Sequence, residues 1–294
     1  DRQRFSGPGI TDNGRGLAVM LALAEALDAD YGPLERPVEF VATTGEEGNG
    51  DLRGAKRYFA RTATRPAAMI AIDGAGDGRI IHRALGTRRY RVTFDGPGGH
   101  SWAAFGAPNA IHAAAGAAAR LSAIPLSADP RTTLTVGRIG GGISVNSIPD
   151  HAWFEVDVRS AGARPLDRMD TEVHLAVAAA VEEENARRTR GTQALTVVVT
   201  RTGDRPGGET PADHPLVTAA CAITSLIGRD PELAIASTDA NIPIGLGIPA
   251  IAIGGGGKGG DAHSLNEWFE NVDGTRGVAR ALAIVLAATR LPPD

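Results

Sequence analysis

Apolar residues along the 294-residue chain fall into two textures. At both ends, short unbroken apolar runs alternate with helical stretches. Residues 17–27 are apolar almost all round and predict a buried helix. Residues 38–42, opened by Arg36-Pro37, predict a buried strand. An amphipathic helix over 51–61 and a second buried strand over 67–72 follow. After position 210 the same texture returns, with a helix over 214–227, short strands over 233–236 and 250–253, and a closing helix over 271–289. Ser264 and Glu267 have capping-box spacing and predict a helix turn between them. This alternation implies a parallel sheet with crossover helices.

The middle of the chain reads differently. Residues 88–95 alternate, with Tyr90, Val92 and Phe94 on one face, and predict a half-exposed strand. Further strands are predicted over 132–139, 152–158 and 194–200, with helices over 111–121 and 165–188. The order β-α-β-β-α-β is that of the split βαβ sandwich. The whole is therefore α/β: a mostly parallel-sheet domain of residues 1–85 and 204–294, interrupted by a ferredoxin-like domain of residues 86–203.

Hard ligands recur where these elements begin or end. Thr43-Thr44-Gly45-Glu46-Glu47-Gly48 follows the run at 38–42, and ligands gather at the carboxyl ends of strands in open α/β sheets. Asp12 stands just before the first helix, Asp73 just after the strand at 67–72, and His263 after a glycine run that follows the strand at 250–253. Each alone has a plainer reading. Asp12 can satisfy helix-start N–H groups, Asp73 can be a turn residue, and Glu46 and Glu47 can complement a helix dipole. Together they make a carboxylate-plus-imidazole set of the kind that binds zinc. A second acid beside a metal ligand can act as general base. An Asp bridging two metals would explain why acids outnumber imidazoles.

Composition removes several classes. A net charge of −4 gives no basic surface for nucleic acid. No stretch of about 18 apolar residues is present to span a membrane. Cys221 has no second cysteine to pair with, which favours a reducing compartment, the cytoplasm, or a simple buried thiol. The glycine run is not a phosphate loop, because Lys258 is followed by Gly259. No Gly-x-Ser-x-Gly elbow marks a serine hydrolase.

In order and spacing, the motifs resemble the dinuclear zinc aminoacylase/carboxypeptidase family, which includes peptidase T, acetylornithine deacetylase and succinyl-diaminopimelate desuccinylase. They are Thr11-Asp12-Asn13-Gly14, Gly45-Glu46-Glu47-Gly48, Ile72-Asp73-Gly74, Gly98-Gly99-His100-Ser101, Asn146-Ser147-Ile148-Pro149, Asp157-Val158-Arg159 and the run ending at His263. Residues 99–112 look most like the peptidase T branch. The resemblance implies that Asp12 bridges two zinc ions, that Glu47 and His263 complete one site, and that Asp73 serves the other. Cobalt or manganese could replace zinc at such oxygen-rich sites. It implies Glu46 as the general base that deprotonates the attacking water and then protonates the leaving amine. His100 would stabilise the oxyanion in the site of a partner subunit, while Asn146 and Arg159 would hold the substrate's polar end. The inserted domain would form a homodimer, and the substrates would be small peptides or N-acyl amino acids. His82, His112, His151, His174 and His214 read as structural or surface residues.

One departure stands out. The family's His-x-Asp motif, which supplies an imidazole to the metal shared with Asp73, does not occur before Asp12. The chain opens on Asp1, so the expectation is an amino-terminal truncation. The alternative is loss of the ligand in a catalytically silent dimeric relative. On this reading the 294 residues hold at most about one zinc tightly and are nearly inactive.

Overall fold

The computed structural model describes residues 4–30 and 33–291. They contain fourteen strands and seven α-helices. In chain order these are β1 (Arg4–Ser6), α1 (Gly16–Asp30), α2 (Arg53–Arg61), β2 (Met69–Ile72), β3 (Arg79–Ala84), β4 (Gly86–Asp95) and β5 (Gly99–His100). Then come α3 (Ala110–Ser122), β6 (Thr132–Gly141), β7 (Ser147–Ile148), β8 (His151–Ser160), α4 (Ala163–Ala186) and β9 (Thr196–Arg205). The chain closes with β10 (Gly208–Glu209), α5 (Pro215–Leu226), β11 (Glu232–Ala236), α6 (Asn241–Gly245), β12 (Ala250–Ile253), β13 (Lys258–Gly260), β14 (Trp268–Glu270) and α7 (Gly274–Ala288). Two compact units result: Asp1–Ala84 with Gly208–Asp294, and Leu85–Gly207.

The discontinuous unit is built on a five-stranded sheet in the order β10-β3-β12-β2, with β11 also paired to β3. It is mixed. β2 and β11 run parallel to their partners, whereas β3 is antiparallel to both β12 and β10. The sequence pattern missed β3, because Arg79, His82 and Arg83 interrupt its apolar positions. β12 is buried on both faces. Ile251 and Ile253 meet Val19 and Leu23 of α1, Leu216 of α5 and Ile284 of α7, while Ala250 and Ala252 meet Ile244 on the opposite side. Strict alternation of two residues per repeat thus splits four apolar positions between two helix layers.

Three expectations fail in this unit. Residues 37–46 form no strand, and Phe40 and Ala42 are exposed rather than buried. Among the described residues no neighbour pairs with them. Among the described residues β2 likewise pairs only with β12, and none of them pairs with its other edge. Between that edge and residues 38–42 lies a cavity of about 1110 Å³, also walled by Leu17 and Met20. Because that side of α1 faces the cavity and solvent, Leu17 and Leu21 are exposed and only one face of the helix, with Val19 and Leu23, is buried. Finally, no helix begins at Ser264. The chain makes a turn there, and the Glu267 carboxylate bonds residues more than 250 positions away instead of its own segment.

The second unit is a four-stranded antiparallel sheet in the order β6-β8-β4-β9 with α3 and α4 on one face. Tyr90, Val92 and Phe94 of β4 point into that face with Phe154, Val156 and Val158 of β8, as the alternation predicts. Phe94 and Phe154 meet at 5.8 Å between ring centroids. Ala110, Ala113, Ala114 and Ala117 form the buried stripe of α3, and their small side chains let the helix lie close to sheet and neighbour. Asn109 caps this helix by accepting the N–H groups of Ile111 and His112. Among the described residues no helix is long and apolar enough to cross a membrane.

Candidate metal centre and its surroundings

The chain enters the site through a widened helical turn at Ile10–Arg15 that leaves helical geometry at Asp12 (φ −113°, ψ 92°) and Asn13 (φ −129°, ψ 37°). Side chains hold this irregular backbone. The Asn13 amide donates to the Ile72 carbonyl at 2.7 Å and its oxygen accepts from Gly16 N–H at 3.1 Å, tying the turn to the end of β2. Arg15 donates to the carbonyls of Gly255 and Gly274, fixing the glycine run to the start of α7.

Residues 43–47 are clamped by α2. Gly54 and Arg53 donate their backbone N–H groups to Thr44 and Gly45 carbonyls. A Cβ at Gly54 would stand 2.5 Å from Thr44 N, so only glycine allows this approach. Asp51 (φ 52°) and Leu52 (φ 57°) complete the turn in the left-handed region, where non-glycine residues are strained.

Three of the residues singled out by sequence come together here. His263 Nε2 lies 2.9 Å from Asp12 Oδ2 and 2.9 Å from Glu47 Oε1. The ligand atoms of all three lie within 4.8 Å of one another. His263 is itself held at φ 64°, a non-glycine residue in the left-handed region. Asp73 and Glu46 line the same cavity as Asp12 and Glu47.

The electrostatics follow from crowding. Burial, then the charges of Asp12, Glu47 and Asp239, push the Asp73 carboxyl up to about 6. Burial raises Asp12 as well, the hydrogen bond with His263 opposes this, and the charge of Glu47 adds to it. The hydrogen bond to Asp12 and then the charge of Glu47 raise the His263 imidazole. Carboxylates gathered this closely repel one another and favour any cation among them. Two carboxylates and an imidazole are a donor set suited to a divalent ion, so the residues fit the metal that the sequence suggested.

His100 and Asn146 belong to the other unit. They line a hollow of about 290 Å³ beside the paired strands β5 and β7, with Pro97, Ile143 and Asp150. Arg159 Nε donates to Asp157 at 2.7 Å, a partly exposed pair on β8. Of the histidines read as structural, His82 is buried against the Thr210 carbonyl, and His214 caps α5 by accepting the Leu216 N–H.

Two residues in this region were given no functional role from sequence. Asp239 accepts from the Thr43 hydroxyl at 2.5 Å and lines the cavity beside Asp73. A signal existed, since it follows the apolar run of β11 as Asp73 follows that of β2. Glu267 is 2% exposed and accepts backbone N–H groups from the Asp12 turn. Its spacing from Ser264 is visible in the sequence and reads as a local cap, whereas the bonds it makes go to the Asp12 turn.

The chain belongs to peptidase family M20/M25/M40, whose model matches residues 1–287. It is therefore a hydrolase of the peptidase and amidohydrolase kind. Among solved structures it is similar to the aminopeptidase PepT of Bacillus cereus, with a TM-score of 0.76 and 24% identity over 99% of this chain and 76% of that one. A tripeptidase from Staphylococcus aureus matches with a TM-score of 0.75 and 23% identity, covering 96% of this chain and 72% of that one. A Bacillus subtilis protein described as a dinuclear metal binding peptidase of the M20 family matches with a TM-score of 0.66 and 15% identity, over 94% of this chain and 70% of that one. No curated protein sequence matches the chain.

Proposed function

We propose that this chain is a metal-dependent hydrolase of the amide bonds of small peptides, in the manner of a di- or tripeptidase. The observation that carries this reading is the convergence of Asp12, Glu47 and His263, within 4.8 Å, beside the cavity lined by Glu46 and Asp73. Zinc is the ion we expect, held by Asp12, Glu47 and His263, with Asp73 as donor to a neighbouring position. A divalent ion there supplies Lewis acidity and makes a water molecule a far stronger acid. Glu46 then has the two proton-transfer tasks: it takes the proton from the attacking water and delivers it to the leaving amine. The low-pH limit of activity would follow protonation of Asp12, Asp73 and His263, since a protonated donor cannot bind metal.

Recognition of the substrate's polar end falls to Asn146 and Arg159, and oxyanion stabilisation to His100, contributed to the site of a partner subunit. A homodimer through residues 86–203 is consistent with the apolar side chains this unit exposes: Trp102 and Phe105, both 87% exposed, with Ile143 and Val145. We place the protein in the cytoplasm, where an unpaired Cys221 is at home.

The test is a panel of di- and tripeptides and N-acyl amino acids, assayed on metal-stripped protein reloaded with zinc, cobalt or manganese. We expect peptide turnover, lost by about 10²–10⁴-fold in kcat in Glu46→Gln while metal binding persists. Turnover of N-acyl amino acids alone would make the protein a deacylase. Absence of any turnover with all three metals would leave a dimeric binding protein.

A further inference from the structure

Glu267 is a buried carboxylate whose three closest donors are all neutral. Its Oε1 accepts the backbone N–H of Thr11 at 2.7 Å and of Asp12 at 2.8 Å, and its Oε2 accepts that of Gly9 at 2.7 Å. A carboxylate this buried normally needs a cation or a full set of hydrogen bonds. Here three backbone N–H groups fill the cation's place, each a charge-assisted bond stronger than its neutral counterpart. The donors are available because they lie at Gly9 and the start of the turn that follows it, where N–H groups have no partner within the helix.

The same residue closes the turn that carries His263. Ser264 Oγ donates to the Asp261 carbonyl at 2.7 Å and accepts the Asn266 N–H at 3.1 Å, and Glu267 N–H reaches the Ser264 carbonyl at 3.3 Å. Asp261 (φ 54°) and His263 (φ 64°) both sit in the left-handed region. Such strain persists only where surrounding bonds over-determine the conformation. One side chain therefore joins the strained loop bearing His263 to the irregular turn bearing Asp12, two ligands 251 positions apart.

We infer that Glu267 is a positioning residue for the metal centre: by gripping the Asp12 turn from the His263 loop, it sets the separation of these two donors before any ion arrives. The inference rests on the metal-dependent reading above. Partners that orient ligating side chains without touching the ion are worth about 10–100-fold in metal affinity.

The test is titration of metal-stripped protein with zinc by calorimetry and with cobalt by its visible absorption, alongside thermal melting of the same metal-free samples. Glu267→Gln keeps the size but offers one acceptor oxygen and turns an N–H donor toward the backbone N–H groups. We expect it to weaken zinc binding at least about tenfold in folded protein and to alter the cobalt spectrum. Zinc affinity within about twofold of the unmutated chain, even with a lowered melting temperature, would reduce Glu267 to a general stabilising role and overturn the inference. Should the Gln variant not fold, Glu267→Asp, which keeps the charge but shortens the reach by one methylene, is judged by the same two outcomes. An unmutated chain that binds neither zinc nor cobalt would sink the metal reading itself. Amide exchange at Gly9, Thr11, Asp12 and His263 would then decide the grip alone: faster exchange at both segments in the variant supports it, and unchanged exchange overturns it.

Discussion

Asp73 shows how a single carboxyl reports on the whole centre. Its folded value of about 6 lies above the ordinary 3.8, so the native state binds this proton more tightly than the unfolded chain does. Stability contributed by the protonated form is complete below pH 4 and is lost as pH rises through about 6. At pH 7 the metal-free protein therefore carries a penalty on the order of 3 kcal/mol from this group. Asp73→Asn should remove it: urea melts of metal-free protein should show the variant more stable at pH 7 and the advantage gone by about pH 4. A variant no more stable than the parent at pH 7 would mean that Asp73 is solvated. His263 is shifted in the same direction. Its imidazole is raised by Asp12 and Glu47, so zinc and protons compete for it, and zinc affinity should fall as pH is lowered. Metal analysis near neutral pH should find about one tightly held zinc per chain, since one such donor group converges among the described residues.

At the scale of elements, the site depends on how closely backbones approach. α2 reaches residues 43–47 only because Gly54 has no side chain. Gly54→Ala should push Thr44 aside, cost about 1–3 kcal/mol in stability, and impair turnover more than peptide binding, because the displaced segment carries Glu46. Equal stability and activity in that variant would show that the segment yields without consequence. Residues 38–42 carry the complementary lesson. Their composition is that of a buried strand, yet a strand is defined by a neighbour's hydrogen bonds, and none is supplied to them among the described residues. β12 has the same kind of sequence and neighbours on both edges, and it is wholly buried.

At the scale of the molecule, the proposed dimer is tested by mass in solution. Light scattering should return twice the mass of one chain. Charges placed at the exposed apolar positions, as in Ile143→Asp with Val145→Asp, should shift it toward the monomer without unfolding the sheet, since both side chains are solvent-exposed in the single chain. A monomeric parent would remove the dimer and, with it, the proposed role for His100.

Local chemistry made much of this protein legible in its sequence. Alternation at Tyr90, Val92 and Phe94 set the buried face of β4, the motif order disclosed the family, and Asp12 and His263 could be singled out from their places beside a helix and after a strand, as could Glu47 from its motif, although the strand expected before it does not form. Such features depend on a residue's type and its near neighbours along the chain. What only the folded chain decided is how distant segments meet. The carboxylate of Glu267 has spacing suited to a local cap, yet its bonds go to Gly9, Thr11 and Asp12. Asp239 finds Thr43 across almost two hundred positions, and residues 38–42 fail to become a strand for want of a partner. A hydrogen bond is won by whichever donor the fold brings within about 3 Å, and separation along the sequence does not fix that distance.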